Sequence, residues 1–185
     1  IHIADAVDYL VDLKRGDAGD DKIYFKKIKN VRDIAAAVVV DASGSTDESV
    51  LGSRILDIEK ESLCMLASAL TVFDDTFGIF TFNSLGPNKV YFQTIKDFDE
   101  AWDSRSQARI SSVFSYGGNR DGCAIRHACH KLLQLPNKTR LLILLSDGIP
   151  ADLDYGCTSA VDTSDYAIED TRRAWKTSCD KRALI

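Results

Sequence analysis

The stretch VVVDASGSTDES, residues 38–49, changes abruptly from apolar to polar residues, and this change decides the fold. Its valines end a longer apolar run, residues 34–40, which is typical of a strand buried on both faces of a sheet. Asp41 and several small hydroxyl residues directly follow that run. In open α/β sheets ligands bind beyond the carboxyl ends of the strands, so an acid and hydroxyl groups at this point indicate a functional site.

The composition is that of a single globular domain with a sizeable core. The chain has 185 residues, of which 45% are hydrophobic and 28% charged, and its net charge of −5 gives no electrostatic case for nucleic-acid binding. No apolar run approaches the ~18 residues of a membrane span, and we expect no secretory signal. The five cysteines are scattered without a CxxC pair, so we expect reduced thiols and a cytoplasmic protein.

Strands and helices alternate along the chain. We expect a helix at 3–13 and a polar, loop-like lead-in up to residue 33, so that 1–33 precede a main domain at 34–185. The predicted strands of that domain are 34–40, 77–82, 89–95 and 141–145, and its helices are about 53–73, 98–110, 122–135 and 165–178. This alternation predicts an α/β, Rossmann-like fold with a mostly parallel central sheet flanked by helices.

Three of these helices carry predicted apolar stripes. The stripes are Leu63, Leu66, Leu70 and Phe73 in the first helix, Ile125, Cys129 and Leu132 in the third, and Ile168, Thr171 and Trp175 in the last. Candidate N-caps for the last helix are Asp162, Thr163 and Ser164. The sequence stops on an apolar segment, 183–185, where a parallel sheet would gain another strand. We therefore expect one or two further strands and a final helix to be missing from these residues.

Polar side chains follow two of the predicted strands. Asp41 follows the first strand and Asp147 the fourth, and these two strands are neighbours in a Rossmann-like order, so their loops should converge. The loop YGGNRDG at 116–122, which lies between these two in the chain, would add Asn119 or Asp121. Together with the hydroxyls of the first loop these are hard oxygen ligands, which suit Mg²⁺, Mn²⁺ or Ca²⁺ and argue against zinc or copper.

Three motifs in this order, DASGS, GGNRDGCAIRHA and LLSDG, carry a family resemblance. They resemble the von Willebrand factor A (VWA) domain, whose D-x-S-x-S sequence forms a metal ion-dependent adhesion site, or MIDAS. The resemblance implies direct coordination by the two serines, and Asn119 stands where the family has Thr; an amide oxygen can replace a hydroxyl, but its reach differs. The implied metal-site residues are Asp41, Ser43, Ser45, Asn119 and Asp147.

A narrower resemblance covers nearly the whole chain from about residue 5. The segments LDIEKES, IKDFDEAWD, LLSDGIPADLDY and YAIEDTRRA are similar to the C-terminal A domains of NorD and CbbO proteins. Members of that group are adaptors that couple a MoxR-type AAA+ ATPase to a client, nitric oxide reductase for NorD-like members and rubisco for CbbO-like members. The resemblance implies a binding module and not an enzyme. We expect the client of this module to dock through a carboxylate on the metal. It does not choose the client.

Enzymatic alternatives use the same residues. Ser43 or Ser45 as nucleophile, with His127 and Asp147 as base and orienter, would make a hydrolase, although the G-x-S-x-G elbow is absent. A phosphotransfer enzyme based on Asp41 would need a D-x-D pair, and position 43 is Ser. The runner-up to the adaptor is a metal-assisted hydrolase or phosphatase that uses Asp41 and Asp147.

Three further groups of residues have competing interpretations. Cysteines and histidines on the third helix are either a metal site or parts of a packed helix: Cys123, His127, Cys129 and His130. In the loop 148–164, Asp152 and Asp154 either add a second cation or docking rim, or belong to a solvated acidic loop. Arg120 and Arg126 are either surface charges or contacts for an acidic partner.

Overall fold

The computed structural model of the protein describes residues 14–16, 33–50, 52–156 and 164–180. The chain divides into two units, Ile1–Arg32 and Asp33–Ile185. In the first unit Lys14 and Arg15 are helical, where the sequence predicted a loop. The predicted helix at 3–13 lies outside the described residues.

The second unit alternates strands and helices as the sequence predicted. In chain order its described elements are β1 (Ile34–Asp41), a 3₁₀ turn (Gly44–Asp47), β2 (Ser49–Val50), β3 (Ser53–Arg54), α1 (Ile55–Val72), β4 (Thr76–Ser84), β5 (Val90–Lys96), α2 (Ser104–Ser111), α3 (Asp121–Leu133), β6 (Thr139–Leu145) and α4 (Asp165–Asp180). Helix α2 begins later than predicted because Asp103 caps it. The Oδ1 atom of Asp103 accepts hydrogen bonds from the backbone N–H groups of Arg105 and Ser106, at 2.9 and 3.1 Å.

The main sheet has the strand order β5-β4-β1-β6. Strand β1 pairs in parallel with β4 and with β6, and β5 pairs antiparallel with β4 at one edge. The backbone of β1 is thus bonded on both sides, and its residues from Ala35 to Val40 are at most 1% exposed. The predicted α/β fold with a mostly parallel central sheet is confirmed.

Each face of the sheet is covered by a pair of helices. One core cluster joins Val38 of β1 to Leu63 of α1 and Ile110 of α2. The other joins Val39 to Leu132 of α3 and Ala174 of α4. Among the described residues, no helix is long and apolar enough to span a membrane.

The predicted stripes hold for α3 and fail in part for α1 and α4. Ile125, Cys129 and Leu132 are all buried as expected. Phe73 lies one residue past the end of α1 and is 56% exposed, so it does not continue that stripe.

Helix α4 keeps only part of its predicted stripe: Trp175 packs partly buried against the core, and two small residues are fully buried. Ala167 and Ala174 face the core, and Ile168 is 50% exposed. The reason is the close approach of α3, since a Cβ at Gly122 would collide with the Asp170 carboxylate. Ser164 is the N-cap, because its hydroxyl oxygen accepts a bond from the Ala167 N–H at 3.1 Å.

Replacing Leu132 and Ile168 by alanine tests this assignment of the core. Leu132 is fully buried, so Leu132→Ala should lower the free energy of unfolding by about 2–5 kcal/mol. Ile168→Ala should change it by no more than about 0.5 kcal/mol, since the side chain is half exposed on a helix. Urea unfolding followed by circular dichroism measures both. Equal losses would show that α4 packs through the face predicted from sequence.

Candidate functional site

Two aspartates reach the same edge of the sheet because β1 and β6 run in parallel. Val40 of β1 is in register with Leu145, the last residue of β6, and Ser146 and Asp147 follow. Asp41 is itself the last residue of β1 and is fully buried, whereas the sequence placed it just beyond the strand. The predicted convergence of the first and fourth long strands is confirmed.

The first loop brings two hydroxyl groups beside Asp41. The Ser43 N–H donates to Oδ1 of Asp41 at 2.7 Å, and the hydroxyl oxygens of Ser43 and Ser45 lie 3.1 Å apart. The Thr46 hydroxyl donates to the Ser43 carbonyl at 2.8 Å and closes the 3₁₀ turn. Ser43 is buried and Ser45 is exposed, so the pair extends from the sheet edge to the surface.

The second loop lies against the end of β4 through its glycines. Gly118 and Ser84 exchange two backbone hydrogen bonds of 2.8 Å, and the carbonyl of Gly117 accepts from Gly44 at 2.8 Å. Gly117 has φ +74°, and a Cβ there would collide with the Ser84 carbonyl. Only glycine permits this backbone contact, which holds the second loop against the first.

The second loop also places Asn119 between two carboxylates. The Asn119 amide nitrogen donates to Oδ2 of Asp41 at 2.8 Å and to Oδ1 of Asp121 at 3.1 Å. Its amide oxygen accepts from the Ala151 N–H at 2.7 Å, which assigns the orientation of the group. Asn119 thus offers Asp41 a donor, and a direct bond from its oxygen to a metal would need the amide to rotate. Its role as a metal ligand stays a prediction.

The third loop supplies Asp147 and a residue that the motif did not assign. Oδ1 of Asp147 accepts from the Ile149 N–H at 3.1 Å. The Ser146 hydroxyl donates to Oδ2 of Asp41 at 3.3 Å and accepts from the Gly148 N–H at 3.1 Å. Asp41 therefore has three described donors, while Asp147 is exposed and keeps one of its oxygens free of any described protein donor.

Burial and repulsion between like charges raise the pKa of three acidic side chains, Asp41, Asp121 and Glu59. Burial raises the pKa of Asp41, and the charge of Asp147 adds to this against the hydrogen bonds from Ser43. Burial, together with the charges of Asp41 and Asp147, raises the pKa of Asp121 to about 7. The same three causes raise the pKa of Glu59, on α1, to about 7. Four carboxylates therefore form one electrostatic cluster.

Sequence reasoning missed Glu59, although a signal was available. Glu59 stands three residues after Leu56 and four before Leu63, both of which are buried, so a carboxylate occupies the inner stripe of α1. Its Oε2 atom is buried without a hydrogen-bond partner. Across the described residues, no lysine, arginine or histidine makes an ion pair with any of the four carboxylates.

The chemistry of this donor set fits a hard divalent cation. Carboxylate and hydroxyl oxygens are what Mg²⁺, Mn²⁺ and Ca²⁺ take, and an orphaned buried carboxylate oxygen calls for a positive partner. Within the described ranges, no three His, Cys, Asp or Glu side chains are grouped tightly enough to hold an ion by themselves. The hydroxyls of Ser43 and Ser45, and water, would have to complete the coordination of an ion here.

Helix α3 has the contacts of a packed helix. The His127 ring lies edge-on against Phe92, with centroids 4.5 Å apart, and burial lowers its pKa. His130 bonds Gln134 at 3.0 Å, and Cys129 is buried in the core. These contacts favour the packed interpretation over a Cys/His metal site, and they occupy His127 away from Ser43.

A buried ion pair anchors the third loop. Arg120 and Asp152 are 7% and 1% exposed, and the Arg120 Nε atom donates to Oδ2 of Asp152 at 2.5 Å. The Arg120 guanidinium also lies 4.3 Å from the Tyr155 ring, whose hydroxyl donates to Asp170 at 2.5 Å. Arg120 is therefore not a surface charge, and Asp152 is a structural partner rather than a free second cation ligand. Arg126, which is partly exposed, pairs with Asp170 at 2.9 Å.

A cavity of about 650 Å³ opens beside Asp147. Its polar wall contains Ser43, Ser45 and Asp147, and its apolar wall contains Ile55, Leu85, Ile149 and Leu153. Ile149 and Leu153 are each about half exposed, at 53% and 47%. The site thus combines oxygen ligands with an apolar rim.

The chain is similar in sequence to proteins named NorD and similar in fold to several solved structures. The chain is 38% identical to the protein NorD of Brucella abortus over 163 residues, which cover 88% of this chain and 25% of that protein. It superposes on the PilB minor pilin from Streptococcus sanguinis with a TM-score of 0.55 at 20% identity, covering 68% of this chain and 32% of the pilin. The vWF domain of the pili tip protein Mfa5 from Porphyromonas gingivalis gives 0.52 at 14% identity, covering 63% and 38%.

The fold is of the von Willebrand factor A type. No family model matches the chain. The chain spans about a quarter of the length of the curated NorD relatives that it matches. The NorD-like, VWA-type character expected from the motifs is thus supported for this part of the molecule.

The raised pKa values make the cation-free protein less stable as the pH rises. The folded state holds protons on Asp121 and Glu59 up to a pKa of about 7, whereas the unfolded chain releases them at about pH 4. Stability that is present below pH 4 is therefore lost as the pH rises through 7. Urea unfolding in EDTA at pH 5 and pH 8 measures this loss, and Asp121→Asn should make it smaller.

The wild type must be compared with Asp121→Asn, because His127 changes the pH dependence of the stability in the opposite direction. Burial lowers the pKa of His127, so its contribution to stability grows as the pH rises through its normal range. That contribution is the same in both proteins and cancels. Identical pH dependence in the wild type and Asp121→Asn would contradict the electrostatic cluster.

Proposed function

We propose that this domain is a cation-dependent protein-binding module of a NorD-like adaptor. A Mg²⁺ or Mn²⁺ ion is held at the carboxyl edge of β1 and β6. A carboxylate from a partner protein completes the coordination of that ion. The observation that carries the proposal is the proximity of Asp41, Asp121 and Asp147, none of which has a basic partner among the described residues.

The residues of the three loops contribute different oxygen atoms to the ion. Ser43 and Ser45 supply hydroxyl oxygens, and Asp147 supplies an exposed carboxylate oxygen. Asp41 acts from its buried position, directly or through water, held by the N–H of Ser43 and the amide of Asn119. When bound, the ion supplies the positive charge that a partner carboxylate needs.

The apolar rim extends the docking surface beyond the ion. Ile149 and Leu153 are half exposed at the mouth of the cavity, and apolar surface of this kind marks protein interaction sites. A partner segment that places an acidic side chain on the ion would bury its neighbouring residues against this rim.

The relatives support the adaptor role and favour one branch of it. The motifs resemble adaptors of MoxR-type AAA+ ATPases, and the curated relatives include proteins named NorD. We infer that the client is of the nitric oxide reductase type rather than the rubisco type, and that the domain itself catalyses no reaction. The packing of His127 on Phe92 supports this, since His127 was the base of the hydrolase alternative.

Calorimetry with single ions tests the cation site. Mg²⁺ and Mn²⁺ should bind more tightly than Zn²⁺, because the ligands are hard oxygens. Ser45→Ala should weaken Mn²⁺ binding at least about tenfold, since it removes one ligand from an exposed position. Ser49→Ala is the matched control, because Ser49 is also exposed and lies in the adjacent β2. Zn²⁺ binding that disappears with Cys123→Ser instead would move the site to α3.

A partner-binding assay tests the docking mechanism. Asp147→Ala is a cleaner change than Asp41→Ala, because Asp147 is exposed and Asp41 accepts bonds from three donors. We expect Asp147→Ala to weaken binding to the MoxR-type ATPase or its client at least about 30-fold, as for loss of a charge partner at an interface. EDTA should have the same effect on the wild type.

The matched control for this assay is Asp99→Ala. Asp99 is an exposed aspartate on the segment before α2, so its loss changes the net charge equally without touching the site. Its binding should stay within about twofold of the wild type. Should Asp147→Ala and EDTA both leave partner binding intact, docking does not use the ion. Turnover of a phosphoester that is lost on Asp147→Ala would favour the phosphatase alternative.

A further inference from the structure

We propose that Glu59 is an additional carboxylate of the cation site, contributed by helix α1 through its Oε2 atom. None of the three site loops contains this residue, and the D-x-S-x-S pattern does not predict it. The inference rests on the cation site proposed above and adds a fourth element, α1, to the three loops that build it.

Helix α1 begins at the cavity and carries Glu59 one turn further along. Ile55, the first residue of α1, lines the cavity together with Ser43 and Asp147. Glu59 comes one helical turn later and shares the inner stripe of the helix with Leu56 and Leu63. Its carboxylate lies within electrostatic range of both Asp41 and Asp147.

The bonding of Glu59 is incomplete in a way that a cation would remedy. Oε2 is buried and accepts no hydrogen bond, and within the described residues no basic side chain pairs with Glu59. A buried carboxylate oxygen without a donor is destabilising, and two like charges facing it add to that cost. Natural proteins keep buried carboxylates where they are paired or bind metals.

Its neighbours on the same helix show that this arrangement is specific. Asp57 pairs with Arg54 at 2.9 Å at the helix start. Glu61, two residues after Glu59, is exposed to solvent. Both are ordinary surface carboxylates, whereas Glu59 alone of the three has a buried oxygen without a partner.

Calorimetry with Mn²⁺ at pH 7.5 compares Glu59→Gln with Glu61→Gln. We expect Glu59→Gln to weaken Mn²⁺ binding about tenfold or more, the range found when a supporting group is removed from a metal site. Glu61→Gln removes the same charge from the same helix and should change the affinity less than twofold. Equal affinity of Glu59→Gln and the wild type overturns the inference.

Thermal melting separates a role at the ion from a merely structural role. In EDTA, Glu59→Gln should melt at or above the wild-type temperature, because it removes a charge that faces Asp41 and Asp147. With saturating Mn²⁺ the order should reverse, since the wild type gains more from the ion. A lower melting temperature of Glu59→Gln in both conditions would mean that Glu59 only supports the fold.

The outcomes also distinguish this inference from the cation site itself. If the wild type binds Mn²⁺ and Ser45→Ala weakens that binding, the site stands whatever Glu59→Gln does. If Ser45→Ala weakens binding and Glu59→Gln does not, only the role of Glu59 is wrong. If the wild type does not bind Mn²⁺, the cation site is wrong and the inference fails with it.

Discussion

Parallel pairing of β1 with both β4 and β6 is the constraint on which the rest of the structure depends. It directs the carboxyl ends of three strands to one edge, and it buries Asp41 there as the last residue of the central strand. Burying a carboxylate costs free energy unless donors or a cation compensate. The donors are visible in the N–H of Ser43, the amide of Asn119 and the hydroxyl of Ser146. They share a single carboxylate, and the remaining acids of the cluster have fewer partners.

The loops around Asp41 are held by contacts that leave little freedom. Gly117 and Gly118 lie directly on the backbone at the end of β4, and Asn119 joins the second loop to the third through Ala151. The buried ion pair of Arg120 and Asp152 also joins the second loop to the third. Removing one member of such a pair leaves an uncompensated buried charge, at a cost of about 3–5 kcal/mol. Contacts within the protein alone thus hold the loops together, as a binding site on rigid elements requires.

This rigidity is compatible with an adaptor. An ion whose coordination is completed by hydroxyl oxygens and water keeps positions for a carboxylate from outside. The apolar rim formed by Ile149 and Leu153 adds surface that a partner can bury. Docking of this kind needs a preformed surface and no proton transfer, and His127 packs on Phe92.

The sequence by itself determined the fold class, the order of the strands and helices, and the loops that carry the site. It could do so because apolar runs with period 2 or 3.6 report burial directly, and because acids placed just after such runs must lie at the sheet edge. Only the tertiary structure decided that Asn119 offers Asp41 its nitrogen, that Arg120 is buried against Asp152, and that Glu59 joins the acidic cluster. The tertiary structure also showed that Phe73 and Ile168, which the sequence predicted to be in the core, are exposed. These properties depend on contacts between residues far apart in the chain, or on how closely two helices approach, and local patterns do not contain that information.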